Sequence, residues 1–207
     1  VMMPRMNGYK LCKTIKEDIN ISHIPVILLT ARDDRQSQIS GYKNGADGYL
    51  SKPFEVEMLM ELIRNRLKNR EYTKKRYLNA GLIPTPEEST ISLTDETFLI
   101  KLNSIIQENI DNTNLGIQFI CQEVGLGRSS LYNKLKALTG MGANEYISKL
   151  RIEKAITLIS GTDMPFSEIA EKTGFTTPSY FSTAFKQYTG ETPSQYKERK
   201  KKGLAGK

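Results

Sequence analysis

Apolar residues recur along this chain with two different periods, and the change between them divides it. Over residues 8–20, Leu11, Cys12, Ile15 and Ile19 fall at helical spacing and predict a helix. Residues 25–31 form a short continuous apolar run with β-branched members, the pattern of a strand buried on both faces. Residues 33–44 predict a second helix ending near Gly45, and residues 48–51 a second short strand. Residues 54–70 then place Val56, Leu59, Met60, Ile63 and Leu67 on one helical face, with Glu55, Glu57 and Glu61 early and Arg64, Arg66 and Arg70 late, as the helix dipole favours. Strands alternating with helices imply a parallel α/β sheet. Beyond residue 94 only the helical period remains. A helix starting at Thr94 reaches about Ile110, and residues 143–160 carry Tyr146, Ile147, Leu150, Ile152, Ala155, Ile156 and Ile159 at helical spacing.

The helical part repeats itself. Residues 118–126 line up with 167–175 at an offset of 49, so that Ile120 meets Ile169 and Gly125 meets Gly174. After the turn the offset becomes 50: Leu131 meets Phe181, Leu135 meets Phe185 and Tyr146 meets Tyr196. A period near 50 with one insertion means two copies of one supersecondary unit. Each copy is a short helix, a glycine-containing turn and a second helix with an i, i+4 apolar pair, which is the helix-turn-helix pattern. Thr192 and Pro193 read as the cap and first residue of a closing helix, because proline has no amide hydrogen to lose there.

Charge follows the same division. The chain of 207 residues has a formal charge of +7. Residues 1–80 carry +6, residues 81–127 carry −6, and residues 128–207 carry +7. A C-terminal segment this basic invites a polyanion, since each neutralised phosphate releases counterions; a solvated lysine face is the plainer reading of the same charges. Leu82, Ile83, Pro84, Thr85, Pro86, Glu87, Glu88, Ser89 and Thr90 read as a linker. The expected organisation is an α/β part over 1–70, a linker over 71–94, a helical part over 95–200 and a basic tail over 201–207. Cys12 and Cys121 form no disulfide framework or zinc motif and read as small buried hydrophobes in a reducing compartment. The lone His23 has no catalytic partner in sequence, and the longest apolar stretch, residues 24–31, is too short to span a membrane. Secreted, membrane and zinc-finger classes fall away, and the chain is not expected to be an enzyme.

The first part resembles the receiver domain of response regulators. Met2-Met3-Pro4-Arg5-Met6-Asn7-Gly8 is similar to the loop after the phospho-acceptor aspartate, Thr30-Ala31 to the switch threonine ending the fourth strand, and Gly45 through Lys52-Pro53-Phe54 to the fifth strand and its Lys-Pro dipeptide. The resemblance implies a truncated flavodoxin-like α/β receiver, comprising the last two strands and flanking helices. It assigns Thr30 and Lys52 to the phosphoryl oxygens and Tyr49 to the aromatic switch. The family's acceptor lies four residues before the proline matched by Pro4, which places it just before Val1. The chain is accordingly expected to be a piece of a longer protein, to lack the phospho-acceptor strand, and to need Mg²⁺ only as part of an intact receiver. Val26, Leu28 and Leu50 are expected to lack the strands that would cover them.

The last part resembles the DNA-binding domain of the AraC/XylS family. The carrying residues are Ser129-Ser130-Leu131-Tyr132-Asn133-Lys134-Leu135 in the first unit, with Gly174-Phe175, Pro178 through Lys186 and Thr189-Gly190-Glu191-Thr192-Pro193 in the second. The fold class implied is multidomain, a partial α/β receiver plus an all-α tandem helix-turn-helix domain. The second helix of each unit would then lie in a major groove. Arg128, Ser129, Tyr132, Asn133 and Lys136 are expected to face outward in the first unit, and Thr176, Thr177, Ser179, Ser182, Thr183 and Lys186 in the second. Asn133 suits bidentate pairing with adenine, worth roughly 1–3 kcal/mol of discrimination. Two such helices would enter successive grooves about 34 Å apart.

Together the resemblances imply a sequence-specific transcriptional regulator at the output end of a two-component phosphorelay, as in hybrid regulators that hold sensor, kinase, receiver and DNA-binding domain in one polypeptide. The partners implied are double-stranded DNA, RNA polymerase, a second copy joined through the receiver part and, for the intact protein, an upstream histidine kinase. The location implied is cytoplasmic, with no membrane contact by this chain and no cofactor of its own. The competing reading is a receiver-derived protein–protein interaction and dimerisation module without independent DNA specificity.

Overall fold

The computed structural model describes residues 6–31, 35–80 and 92–205. The loop motif at residues 2–5, Asp33 at the expected start of the second helix, the linker residues 82–90 and the last two residues of the tail lie outside the described residues. The elements run α1 (Gly8–Glu17), β1 (Ile27–Thr30), α2 (Arg35–Lys43), β2 (Gly48–Ser51), α3 (Val56–Ala80), α4 (Leu93–Glu108), α5 (Ile117–Val124), α6 (Arg128–Thr139), α7 (Ala143–Gly161), α8 (Phe166–Lys172), α9 (Pro178–Thr189) and α10 (Pro193–Ala205). An α/β part thus precedes an all-helical part, as the two periods predict.

Among the described residues, one compact unit holds those up to Lys101 together with Ser129–Gly140, and a second holds Leu102–Arg128 and those from Met141 onward. The division cuts across the sequence segments, because α6 groups with the α/β part.

In the first unit, α1 begins where the Asn7 side chain accepts the Lys10 amide hydrogen at 2.8 Å. It ends at Glu17, three residues before the predicted end. There Asp18 adopts an extended backbone and its carboxylate accepts the Asn20 amide hydrogen at 2.8 Å, a turn that competes with the helix. The strands β1 and β2 pair in parallel, Ile27 opposite Gly48 and Thr30 opposite Ser51. Leu28 and Leu50, expected to lack cover, are buried; Leu28 belongs to a core with Cys12, Ala46 and Tyr49. The expectation of a strand buried on both faces is corrected, since Leu28 and Thr30 are buried and Leu29 is exposed. The helix predicted to stop at Arg70 continues as α3 to Ala80. Glycine and proline are absent from residues 71–80, and Glu71 pairs with Lys74 at 2.9 Å one turn on.

In the second unit, α7, α8 and α9 surround a core of Ile152, Ala155, Ile159, Ile169, Phe175, Phe181 and Phe185, with Tyr196 against it. The aromatic rings meet in series: Phe175 to Phe181 at 5.3 Å, Phe181 to Phe185 at 5.7 Å and Phe185 to Tyr196 at 5.6 Å between centroids. The turn before α9 places Gly174 at φ +71°, and α10 opens as predicted: Thr192 Oγ1 accepts from the Gln195 amide at 3.3 Å while Gln195 Oε1 accepts from the Thr192 amide at 2.9 Å. Cys12 is buried and Cys121 half-buried, both as free thiols.

Candidate nucleic-acid interface

The candidate reading surface is the second helix of each repeat. In α6 the 3.6-residue period turns Leu131, Leu135 and Leu138 inward, where they are buried. The same period turns Arg128, Ser129, Tyr132, Asn133 and Lys136 outward, and all five are exposed. The Arg128 guanidinium is partly engaged, donating to Gln118 Oε1 at 3.3 Å. Asn133 and Lys136 therefore present polar ends above an apolar base, the arrangement a groove-reading helix needs.

In α9 Phe181 and Phe185 are buried, while Thr176, Thr177, Ser179, Thr183 and Lys186 are exposed. One of the predicted residues has a second duty. Thr177 is the N-cap of α9: its hydroxyl oxygen accepts the Tyr180 amide hydrogen at 3.1 Å, ahead of Pro178 at the first helical position. Ser182, expected to face outward, is half-buried, because it follows Phe181 at the edge of the buried stripe. The Thr183 hydroxyl donates to the Ser179 carbonyl at 3.1 Å, which leaves its oxygen lone pairs available to a ligand.

Sequence reading left Tyr180 out of the site. It is exposed in the first turn of α9, edge-on to Phe175 at 5.7 Å, and lines a cleft of about 450 Å³ with Asn144, Ser148, Lys149 and Thr183. Its place one residue after Ser179 was the available signal. Lys149, buried on α7, pairs with Glu153 at 3.6 Å, and burial pulls its ammonium pKa below the ordinary lysine value. Lys134 is the larger omission. It lies between Asn133 and Lys136 in sequence, yet its side chain is fully buried.

The receiver-like residues also come together. Thr30 ends β1 and is buried, and the Lys52 amide, just past β2, donates to the Thr30 carbonyl at 2.6 Å. Both residues therefore stand at the carboxyl ends of neighbouring parallel strands, where open α/β sheets place ligands. The Lys52 side chain is exposed, and Tyr49 lies in the core with Leu28. Among the described residues, no group of three or more His, Cys, Asp or Glu side chains could hold a metal ion. The described residues do not make a magnesium site.

The fold is a parallel α/β segment followed by two helix-turn-helix units. Comparison with known proteins agrees. The response regulator receiver domain matches residues 1–64, and a helix-turn-helix domain matches residues 120–199. A protein called histidine kinase P4 from Formosa agariphila is 43% identical over 199 residues, covering 96% of this chain and 14% of its own length. The heme response regulator HssR of Staphylococcus saprophyticus is 50% identical over 68 residues, covering 33% of this chain and 29% of its own. The solved C-terminal domain of AraT, a response regulator from Geobacillus stearothermophilus, is 30% identical, covers 49% of this chain and 84% of its own, and superposes with a TM-score of 0.47. The chain thus carries a response regulator receiver segment followed by a helix-turn-helix segment. It spans 14% of the length of the first of these curated relatives and 29% of the second.

Proposed function

We propose that this chain is the DNA-binding output of a two-component transcriptional regulator. The observation that carries the reading is α6, a helix whose buried leucines leave Arg128, Ser129, Tyr132, Asn133 and Lys136 exposed together. The helix α9 repeats the design with Ser179, Thr183 and Lys186 above Phe181 and Phe185. Each of these helices takes a major groove, so the operator has two half-sites. Asn133 reads adenine, Arg128 reads guanine or holds a phosphate, and the hydroxyls of Ser129, Ser179 and Thr183 touch base edges, phosphates or bound water. The half-site under α9, which has no arginine, is read more weakly and through DNA shape.

The receiver segment points to an upstream histidine kinase as partner of the intact protein, with Thr30, Tyr49 and Lys52 as its switch residues and Mg²⁺ as its metal. A second copy joined through the receiver segment and RNA polymerase are further proposed partners. The chain works without catalysis or a cofactor of its own, in the cytoplasm. No helix among the described residues is long and apolar enough to cross a membrane.

Selection from random duplexes tests the reading. The wild-type chain is expected to enrich a two-part site, and Asn133→Ala to flatten one adenine position with a loss of roughly 1–3 kcal/mol. An unchanged profile would remove Asn133 as a reader. Failure of folded wild-type protein to bind any duplex at low salt would leave the interaction-module reading in its place.

A further inference from the structure

Lys134 departs from the repeat that surrounds it. At the offset of 50 its counterpart in the second unit is Ala184, a buried apolar residue of α9. A helix-turn-helix unit therefore needs no charge at this place. Yet Lys134 is 0% exposed, and burying an unpaired ammonium costs several kcal/mol or more.

The charge is met by groups from outside the repeat. Lys134 Nζ contacts Asp95 Oδ1 in the first turn of α4 and donates to Ser22 Oγ at 2.7 Å. Ser22 in turn donates to Asp95 Oδ1 at 2.7 Å, closing a triangle of three buried side chains. The Phe98 ring of α4 lies 5.1 Å from the ammonium. Burial pulls the Lys134 pKa down, against the opposing pull of Asp95. Ser22 belongs to the turns between α1 and β1, in the receiver segment, and the start of α4 is tied to the same region by Thr94, whose hydroxyl donates to the Lys16 carbonyl at 2.9 Å. All of these residues lie in the first compact unit.

We propose that Lys134 is a positioning residue: held inward by Asp95 and Ser22, it sets the rotation and depth at which α6 offers Asn133 and Lys136 to DNA, so that the receiver segment governs the first half-site. The proposal rests on the DNA-binding reading above. The direction follows from exposure. Arg128, Ser129, Tyr132, Asn133 and Lys136 are exposed while Lys134 is engaged, so the engaged state presents them and its loss weakens reading.

The test uses the whole chain and two variants. Ser22→Ala removes the receiver-side partner and keeps the ion pair. Lys134→Met with Asp95→Leu replaces both charges by apolar groups, a change that avoids the stranded charge left by either alone. In duplex selection both variants are expected to keep the half-site read by α9 and lose preference at the one read by α6. Affinity should fall roughly tenfold, about what one base-specific hydrogen-bonded pair contributes. Equal loss at both half-sites, the mark of a merely structural role, would overturn the proposal, as would no loss at either. Amide exchange without DNA supplies a second readout. Ser22→Ala should speed exchange in residues 129–139 by roughly tenfold while residues 179–189 stay unchanged; unaltered exchange in α6 also overturns the proposal. A wild-type chain that selects no duplex defeats the DNA reading and the positioning role together, and the exchange result then still reports whether Ser22 holds α6.

Discussion

Tyr188 shows what a single residue's surroundings decide. Its hydroxyl donates to Glu153 Oε1 at 3.3 Å, and partial burial, with the nearby Glu153 charge, pushes its pKa up to about 12 from the ordinary 10.0. The folded chain thus favours the neutral phenol. The stability this adds is fully present below pH 10.0 and is lost as the pH rises toward about 12. Subtracting the alkaline absorbance titration of Tyr188→Phe from that of the wild type should leave one phenolate step near 12; a step near 10.0 would remove the Glu153 contact as its cause. At this scale the sequence showed residue types and their side of a helix. Asn133 and Lys136 were legible as outward residues because helical period alone places them. The capping of α9 by Thr177 and the half-burial of Ser182 were not, since a hydroxyl near a helix start suits a cap and a DNA contact equally.

The elements turn on a few local conflicts. Each helix-turn-helix unit needs a left-handed residue at its turn, and both Gly125 and Gly174 have φ +71°. Their surroundings differ. A Cβ on Gly125 would meet nothing within 4 Å, whereas one on Gly174 would lie 2.3 Å from the Ile110 carbonyl oxygen, with the Arg151 guanidinium nearby. Gly125→Ala should therefore cost about 1–2 kcal/mol, the left-handed penalty alone. Gly174→Ala should cost about 3 kcal/mol or more, since backbone oxygen cannot move aside. Urea midpoints would check this, and equal costs would contradict the close approach. The shared glycine was legible from the repeat; the crowding at one copy was not, because Ile110 lies far away in sequence. Helix ends followed the same rule. The early end of α1 came from the Asp18 side chain, which competes with the helix for backbone hydrogen bonds.

Across the whole chain, the C-terminal charge of +7 over residues 128–207 supplies attraction to phosphate, and exposed Lys200 in α10 belongs to it. Lys200→Gln should weaken duplex binding uniformly across sequences and make the slope of log K against log salt shallower by about 0.9, the share of one neutralised phosphate. A changed base preference would instead make Lys200 a reader. The apolar periods, the repeat and the charge blocks by themselves determined an α/β segment, an acidic stretch and two helix-turn-helix units, because helix and strand periods are properties of neighbouring residues. Only the tertiary structure decided that α6 groups with the receiver segment and that Lys134 faces inward. A lysine can be buried only where partners arrive to meet its charge, and here they are Asp95 and Ser22, 39 and 112 positions away along the chain.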